Sequence, residues 1–296
     1  MTTEISASQV KQLREQTGAG MMECKNALKE ANGDMEKAVE WLRQKGLAAA
    51  AKKSSRAASE GLVVGKVSDD GKRAVLVEVN CETDFVARNE QFQAFTAELA
   101  DIALKNKSQT AEDLLKLTHN GKTVSDILSD KIATIGENMV LRRVAYIELA
   151  GTGLIGLYVH ALGGKMGALV ALESNKDLPP AELSPVARDV AMHIVSAKPQ
   201  YIDRNEIPSE VIEEERRIES GKEDLAKKPA DIREKIVTGR VDKIFAERCL
   251  MEQDFVKDPS QKIAQVLKLS DKGAELKPKS FALFILGEGA DKAENN

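Results

Sequence analysis

The sequence predicts an α+β fold: an N-terminal three-helix domain, a duplicated α+β core of two subdomains, and an inserted helical hairpin. Three observations carry this. Apolar residues recur at helical spacing up to Gly46. The period then changes to that of strands around 62–79, and does so again around 153–172. Finally, the stretch 208–248 is densely charged and places an apolar residue at every seventh position. At ~100–200 residues per domain, a chain of 296 residues has room for two or three compact units.

The first helical signal is Val10 and Leu13, and the second is Met21, Met22, Cys24, Ala27 and Leu28. Gly18-Ala19-Gly20 forms a tight turn between them. Gly33 ends the second helix and Asp34 caps a third, lined by Met35, Ala38, Val39 and Trp41-Leu42 until Gly46 stops it. Together, residues 1–50 make a module about the size of a ubiquitin-associated (UBA-like) domain. Residues 51–60, rich in Ala and Lys without a clear apolar face, read as a linker.

The core N-subdomain covers 61–150. Leu62-Val63-Val64 and the run 74–79 flank Ser68-Asp69-Asp70-Gly71, which makes a hairpin, and a helix carrying Phe92, Phe95, Leu99 and Ile102 follows. The plan repeats in the core C-subdomain, 151–205 and 246–296. There the strands 153–159 and 168–172 flank a turn at Gly163-Gly164, and a helix over 184–197 places Val186, Val190 and Ile194 four residues apart. The strand 139–149, entered through Ile135, is expected to join the second sheet. A further strand is predicted over 281–286, before a polar tail at 291–296 that is expected to fray.

Residues 206–245 form the inserted hairpin, with Val211, Ile218, Leu225 and Ile232 seven apart amid Glu, Lys and Arg. Gly221 and Pro229 interrupt the pattern, and Pro229 suits the first turn of a new helix, so two helices are expected instead of one rod. Such a projection could pair with itself or with a partner. One-sided patterning is equally compatible with a solvated hairpin folded on its own core.

Composition excludes several function classes. With 42% hydrophobic and 30% charged residues and no apolar run near ~18 residues, the chain reads as globular and not membrane-spanning. Residues 1–9 lack the marks of a signal peptide, which points to a cytoplasmic location. Cys24, Cys81 and Cys249 are an odd set without a C-x-x-C pair, so neither a disulfide framework nor a zinc site is indicated. A net charge of −4 with 4% aromatic residues argues against direct nucleic-acid binding.

Three motifs invite a chemical reading. Residues 151–156 spell G-x-G-x-x-G, yet Leu157-Tyr158-Val159-His160 continues as a strand where a dinucleotide site needs a helix to open. Cys81 could be a nucleophile with His119, His160 or His193 as base, but at the end of an apolar strand it reads as a small packed hydrophobe. No G-x-x-x-x-G-K-[ST] loop is present. Met21 and Met22 open a helix side by side, and one of the two should be exposed, where a thioether suits an adaptable partner surface.

The sharpest signal is Cys81-Glu82-Thr83-Asp84-Phe85-Val86-Ala87-Arg88-Asn89, between the first hairpin and its helix. Phe85 either staples the next helix or stands out as a wedge with the Asp84 carboxylate beside it. At these residues the chain resembles the translation elongation factor Ts family, the exchange factors for elongation factor Tu. The likeness includes the run 13–25, Val79 to Val86, Ile135-Gly136-Glu137-Asn138, His160 ahead of Lys165-Met166-Gly167, Ala191-Met192-His193-Ile194 and Lys198-Pro199.

The resemblance implies a small N-terminal helical domain, a core of two related subdomains, a helical hairpin that serves as a dimerisation domain and varies in length in the family, and a short C-terminal module within 246–296. It implies a guanine nucleotide exchange factor, not an enzyme, without a cofactor or metal of its own. Asp84 and Phe85, framed by Thr83 and Val86, would disturb the partner's magnesium site and promote GDP release. Arg14, Met21, Met22 and Lys25 would touch the partner's nucleotide-binding domain, and Ile135 and His160 would be further contacts. A homodimer, or an assembly of two Tu and two Ts chains, would form through the hairpin. Two other classes remain open to test: a peptide-binding adaptor built on residues 1–60, and a nicotinamide-binding dehydrogenase.

Overall fold

The computed structural model describes residues 5–17, 19–161, 163–226, 228–269 and 273–288, so Gly18 and the tail at 291–296 lie outside the described residues. It is a mixed helix-and-sheet protein that divides into two compact units. One comprises Met1–Val64, Val77–Ala145 and Ile285–Asn296, and the other Gly65–Leu76 and Tyr146–Phe284.

The first unit begins with α1 (Ala7–Thr17), α2 (Met21–Glu30) and α3 (Met35–Lys53). They close around Val10, Leu13, Cys24, Ala27, Leu28 and Ala38, the stripe that the helical spacing marks out. The Asp34 side chain accepts a hydrogen bond from the Lys37 amide and caps α3, as its position before an apolar run requires.

Gly46 does not end α3, which runs on through the Ala-rich stretch to Lys53. The reason is tertiary packing. α3 lies against α7 (Val124–Ile135), and this contact together with the helical propensity of the flanking alanines carries the helix through Gly46, where a Cβ would meet the Ala133 Cβ only at an ordinary 3.6 Å.

Beyond α3 come β1 (Glu60–Val67) and β2 (Arg73–Cys81), then the single-turn α4 (Asp84–Ala87) and the long α5 (Glu90–Asn106), which buries Phe92, Phe95, Leu99 and Ile102. α6 (Ala111–Lys116) and a two-stranded ribbon, β3 (Thr118–His119) with β4 (Lys122–Thr123), lead into α7. The sequence patterning above predicts neither α6 nor α7.

β5 (Met139–Glu148) lies beside β2 in a three-stranded sheet of order β1-β2-β5, correcting the expectation that it joins the second sheet. A fully buried carboxylate, Glu78 on β2, accounts for the choice. Arg143 on β5 reaches it at 2.6 Å, and the Gly287 amide donates to it at 2.9 Å. A buried carboxylate without such partners would be strongly unfavourable.

In the second unit β6 (Gly153–Val159) pairs antiparallel with β7 (Met166–Ser174), with Gly153 opposite Glu173 and Val159 opposite Gly167. α8 (Pro180–Ala197) packs on both strands through Leu183, Ala187, Val190, Ala191 and Ile194. Two charged helices follow, α9 (Ser209–Ser220) and α10 (Ala230–Arg248), packed together, with Pro229 at the N-cap of the second.

The remainder is β8 (Asp254–Phe255) with β9 (Asp258–Lys262), the short α11 (Ile263–Val266), β10 (Lys268–Leu269) and β11 (Ala274–Ile285). The second sheet has the order β10-β11-β7-β6, so each sheet sets a late strand beside the second strand of its hairpin.

Candidate functional site

The segment after β2 holds the most conspicuous exposed side chain. Phe85 is 81% exposed, whereas Phe92, Phe95 and Phe245 are buried. That exposure rules out stapling of the next helix. Thr83 is the N-cap of α4, its hydroxyl accepting a hydrogen bond from the Val86 amide at 3.3 Å. Asp84 occupies the first turn, the position where a carboxylate suits the helix N-terminus. Its side chain meets Arg88 one turn on, at 3.0 Å and near the surface. An ion pair so exposed is weak, so Asp84 is free to change partners.

A second loop holds this one. α7 ends at Ile135, and Gly136 closes it at φ 94°, the left-handed conformation that favours glycine. The turn delivers Glu137 to Thr83, where one carboxylate oxygen accepts from the Thr83 amide at 3.0 Å and the other from its hydroxyl at 2.6 Å. In return Glu82 accepts from the Asn138 amide at 2.6 Å and from Arg56 at 3.4 Å. The buried Asn138 side chain donates to the Arg56 carbonyl at 2.8 Å.

Thr83, Asp84, Phe85 and Val86 therefore share one short element, and Ile135 lies on the half-buried segment stitched to it. Arg14, Met21, Met22 and Lys25 are all exposed on α1 and α2. Both methionines face solvent, at 48% and 66%, where the sequence asked for only one. α2 buries Cys24, Ala27 and Leu28 instead, a narrow stripe that leaves its first turn free.

His160, in the second unit, is half-buried at the end of β6, and its Nδ1 lies 3.1 Å from the Tyr158 hydroxyl. It lines an open cavity of about 530 Å³ with Tyr158, Met166, Met192, Val195 and Lys198. Sequence reasoning missed Glu82, Glu137 and Asn138 as parts of the site. Both segments belong to the family likeness, but no spacing rule links residues 54 or 56 apart, and the side-chain contacts alone show that the two are joined.

The other motifs resolve into packing. Cys81 is fully buried and its thiol is pushed up to about 12 by burial, with the Glu137 charge adding to it, which disqualifies it as a nucleophile at neutral pH. His193 is buried too, its Nε2 against Gln253 at 2.9 Å and its Nδ1 accepting from the Val256 amide. Asp254-Phe255-Val256 repeats the residue order of Asp84-Phe85-Val86, but Phe255 packs beside His193 in the core and offers no second exposed ring.

Third in the glycine run, Gly156 sits within β6, where a Cβ would lie 2.2 Å from the Ala187 carbonyl oxygen of α8. It makes room for a helix across the sheet, and no helix opens there to receive a pyrophosphate. Among the described residues no cluster of three or more His, Cys, Asp or Glu could hold a metal, and no helix is long and apolar enough to cross a membrane.

A family model described as Elongation factor TS matches residues 82–288. The elongation factor Ts of Trichlorobacter lovleyi is 44% identical over 99% of this chain and 96% of the relative. That of Nitratiruptor sp. is 45% identical over 99% and 96%. That of Paramagnetospirillum magneticum is 48% identical over 98% and 93%.

Proposed function

Because this chain belongs to the elongation factor Ts family, we propose that it is a guanine nucleotide exchange factor of translation elongation, which binds elongation factor Tu carrying GDP and promotes release of the nucleotide. GTP then enters the emptied site. The work is differential binding and involves no bond chemistry of its own. A factor that prefers the nucleotide-free partner must weaken GDP binding, and by linkage GDP weakens the factor's binding by the same factor.

The observation that carries this is the Phe85 ring, 81% exposed on a capped single turn with a carboxylate beside it. Burying the ring in the partner would contribute about 1.5–3 kcal/mol to the open conformation. Asp84, leaving Arg88, would bring a negative charge and two acceptor oxygens to the surroundings of the partner's magnesium. Thr83 and Val86 frame the wedge. Arg14, Met21, Met22 and Lys25 would hold the nucleotide-binding domain, the two methionines adapting to its surface, with Ile135 and His160 as further contacts.

We also read residues 1–50 as UBA-like and the two strand-turn-strand-helix units as a duplication. The hairpin 206–245 becomes a dimerisation element, which the exposure of Ile218 and Ile232, at 50% and 44%, supports. Such a factor acts in the cytoplasm, where translation takes place.

The test is release of a fluorescent GDP from elongation factor Tu, followed by stopped flow. Phe85→Ala should slow the factor-stimulated release roughly 10- to 100-fold, the equivalent of the burial energy, with the thermal midpoint unchanged. Wild-type release by this variant would refute the wedge.

A further inference from the structure

A helix of four residues does not hold itself in water, because the cost of nucleation is not recovered within a single turn. The direction of Phe85 must therefore be set from outside α4. Glu137 fixes the Thr83 cap from another part of the chain, and it does so through both oxygens. A threonine hydroxyl has one proton. Here that proton goes to Glu137, which turns a lone pair toward the Val86 amide, the bond that starts the helical turn.

We infer that Glu137 is a positioning residue for exchange: it commits the Thr83 hydroxyl proton and so aims the Phe85 ring, without itself touching the partner. The inference rests on the reading of Phe85 as the wedge. Support comes from the reciprocal half of the stitch, in which Glu82 holds the Asn138 amide while the Asn138 side chain, 3% exposed, holds the carbonyl of Arg56 just beyond α3. Residues 137–138 thereby anchor the wedge loop and the segment leaving the N-terminal helices on one node. A change at Glu137 disturbs the aim of the ring while the hydrophobic cores, which it does not join, stay packed.

Glu137→Gln is the informative substitution. It preserves shape but replaces one accepting oxygen by an amide NH2, which only donates, so the Thr83 hydroxyl proton loses its charged acceptor. GDP release from elongation factor Tu should be measured at saturating factor for the wild type, Glu137→Gln, Phe85→Ala and the double variant, with thermal midpoints alongside. Loss of a hydrogen bond to a charged group should slow release roughly tenfold. The factor concentration giving half the maximal effect should change little. In the Phe85→Ala background the same substitution should add nothing. Thr83→Val, which removes the hydroxyl, should match Glu137→Gln, and Thr83→Ser, which keeps it, should release GDP faster than Thr83→Val.

Equal slowing in both backgrounds would overturn the positioning role, as would wild-type release by Glu137→Gln while Phe85→Ala is slow. If Phe85→Ala itself releases GDP normally, it is the wedge reading that fails, so the two failures are distinguishable.

Discussion

Phe85 leaves most of a phenyl ring in water, about 1.5–3 kcal/mol less favourable than the burial its neighbours Phe92 and Phe95 enjoy. A partner that buried the ring would recover that difference, which is why the proposed contact is the exposed residue and not a packed one. The cysteines present the opposite case. Cys24, Cys81 and Cys249 are free and fully buried, so the folded protein should resist iodoacetamide at mildly alkaline pH, while the guanidine-unfolded chain reacts at all three thiols. Rapid labelling of the native protein would show that the cores open.

His193 adds a pH dependence. Burial holds its imidazole below the ordinary value, against the upward pull of the Gln253 hydrogen bond. As pH falls below about 6.5 the unfolded chain binds a proton that the folded one refuses, so this contribution is complete above that value and is lost on acidification. The thermal midpoint of the wild type should drop more between about pH 7.5 and pH 5 than that of His193→Gln, and parallel curves would contradict the assignment.

At the scale of elements, glycines separate what patterning reveals from what packing decides. Gly46 looks like a helix stop, yet α3 continues through it because α7 lies alongside. A methyl group there meets only ordinary contacts, so Gly46→Ala should raise unfolding free energy by about 0.5–1 kcal/mol in urea titration. Gly156 looks like part of a nucleotide fingerprint, yet the space it saves belongs to the α8 backbone, and Gly156→Ala should cost about 1–3 kcal/mol. Similar stability for the two variants would contradict both assignments.

The strand periods of β1, β2, β6 and β7 and the capping of α3 were legible, since they depend on neighbours in sequence. The sheet that β5 joins was not, because Arg143 finds Glu78 across 65 residues. In the hairpin the seven-residue pattern is equally local and equally incomplete. Leu225 is fully buried within a small core with Val237, Val241 and Phe245, while Ile218 and Ile232 stay exposed.

Over the whole molecule, the α+β class followed from a change of hydrophobic period that the chain makes twice. The candidate site was legible only as residue types: an acid beside an aromatic in a loop, and paired methionines at a helix start. Its construction was not, because the carboxylates that stitch Thr83 and Asn138 lie on two segments more than fifty residues apart. The functional reading requires that the assembled surface discriminate between two states of one partner. Affinity of the purified factor for elongation factor Tu should therefore be measured by calorimetry with the partner nucleotide-free and then saturated with GDP. Markedly tighter binding to the empty partner is the expected result, with the preference reduced in Phe85→Ala. Equal affinity for the two forms would contradict it, since no exchange can be driven by a surface that does not distinguish them.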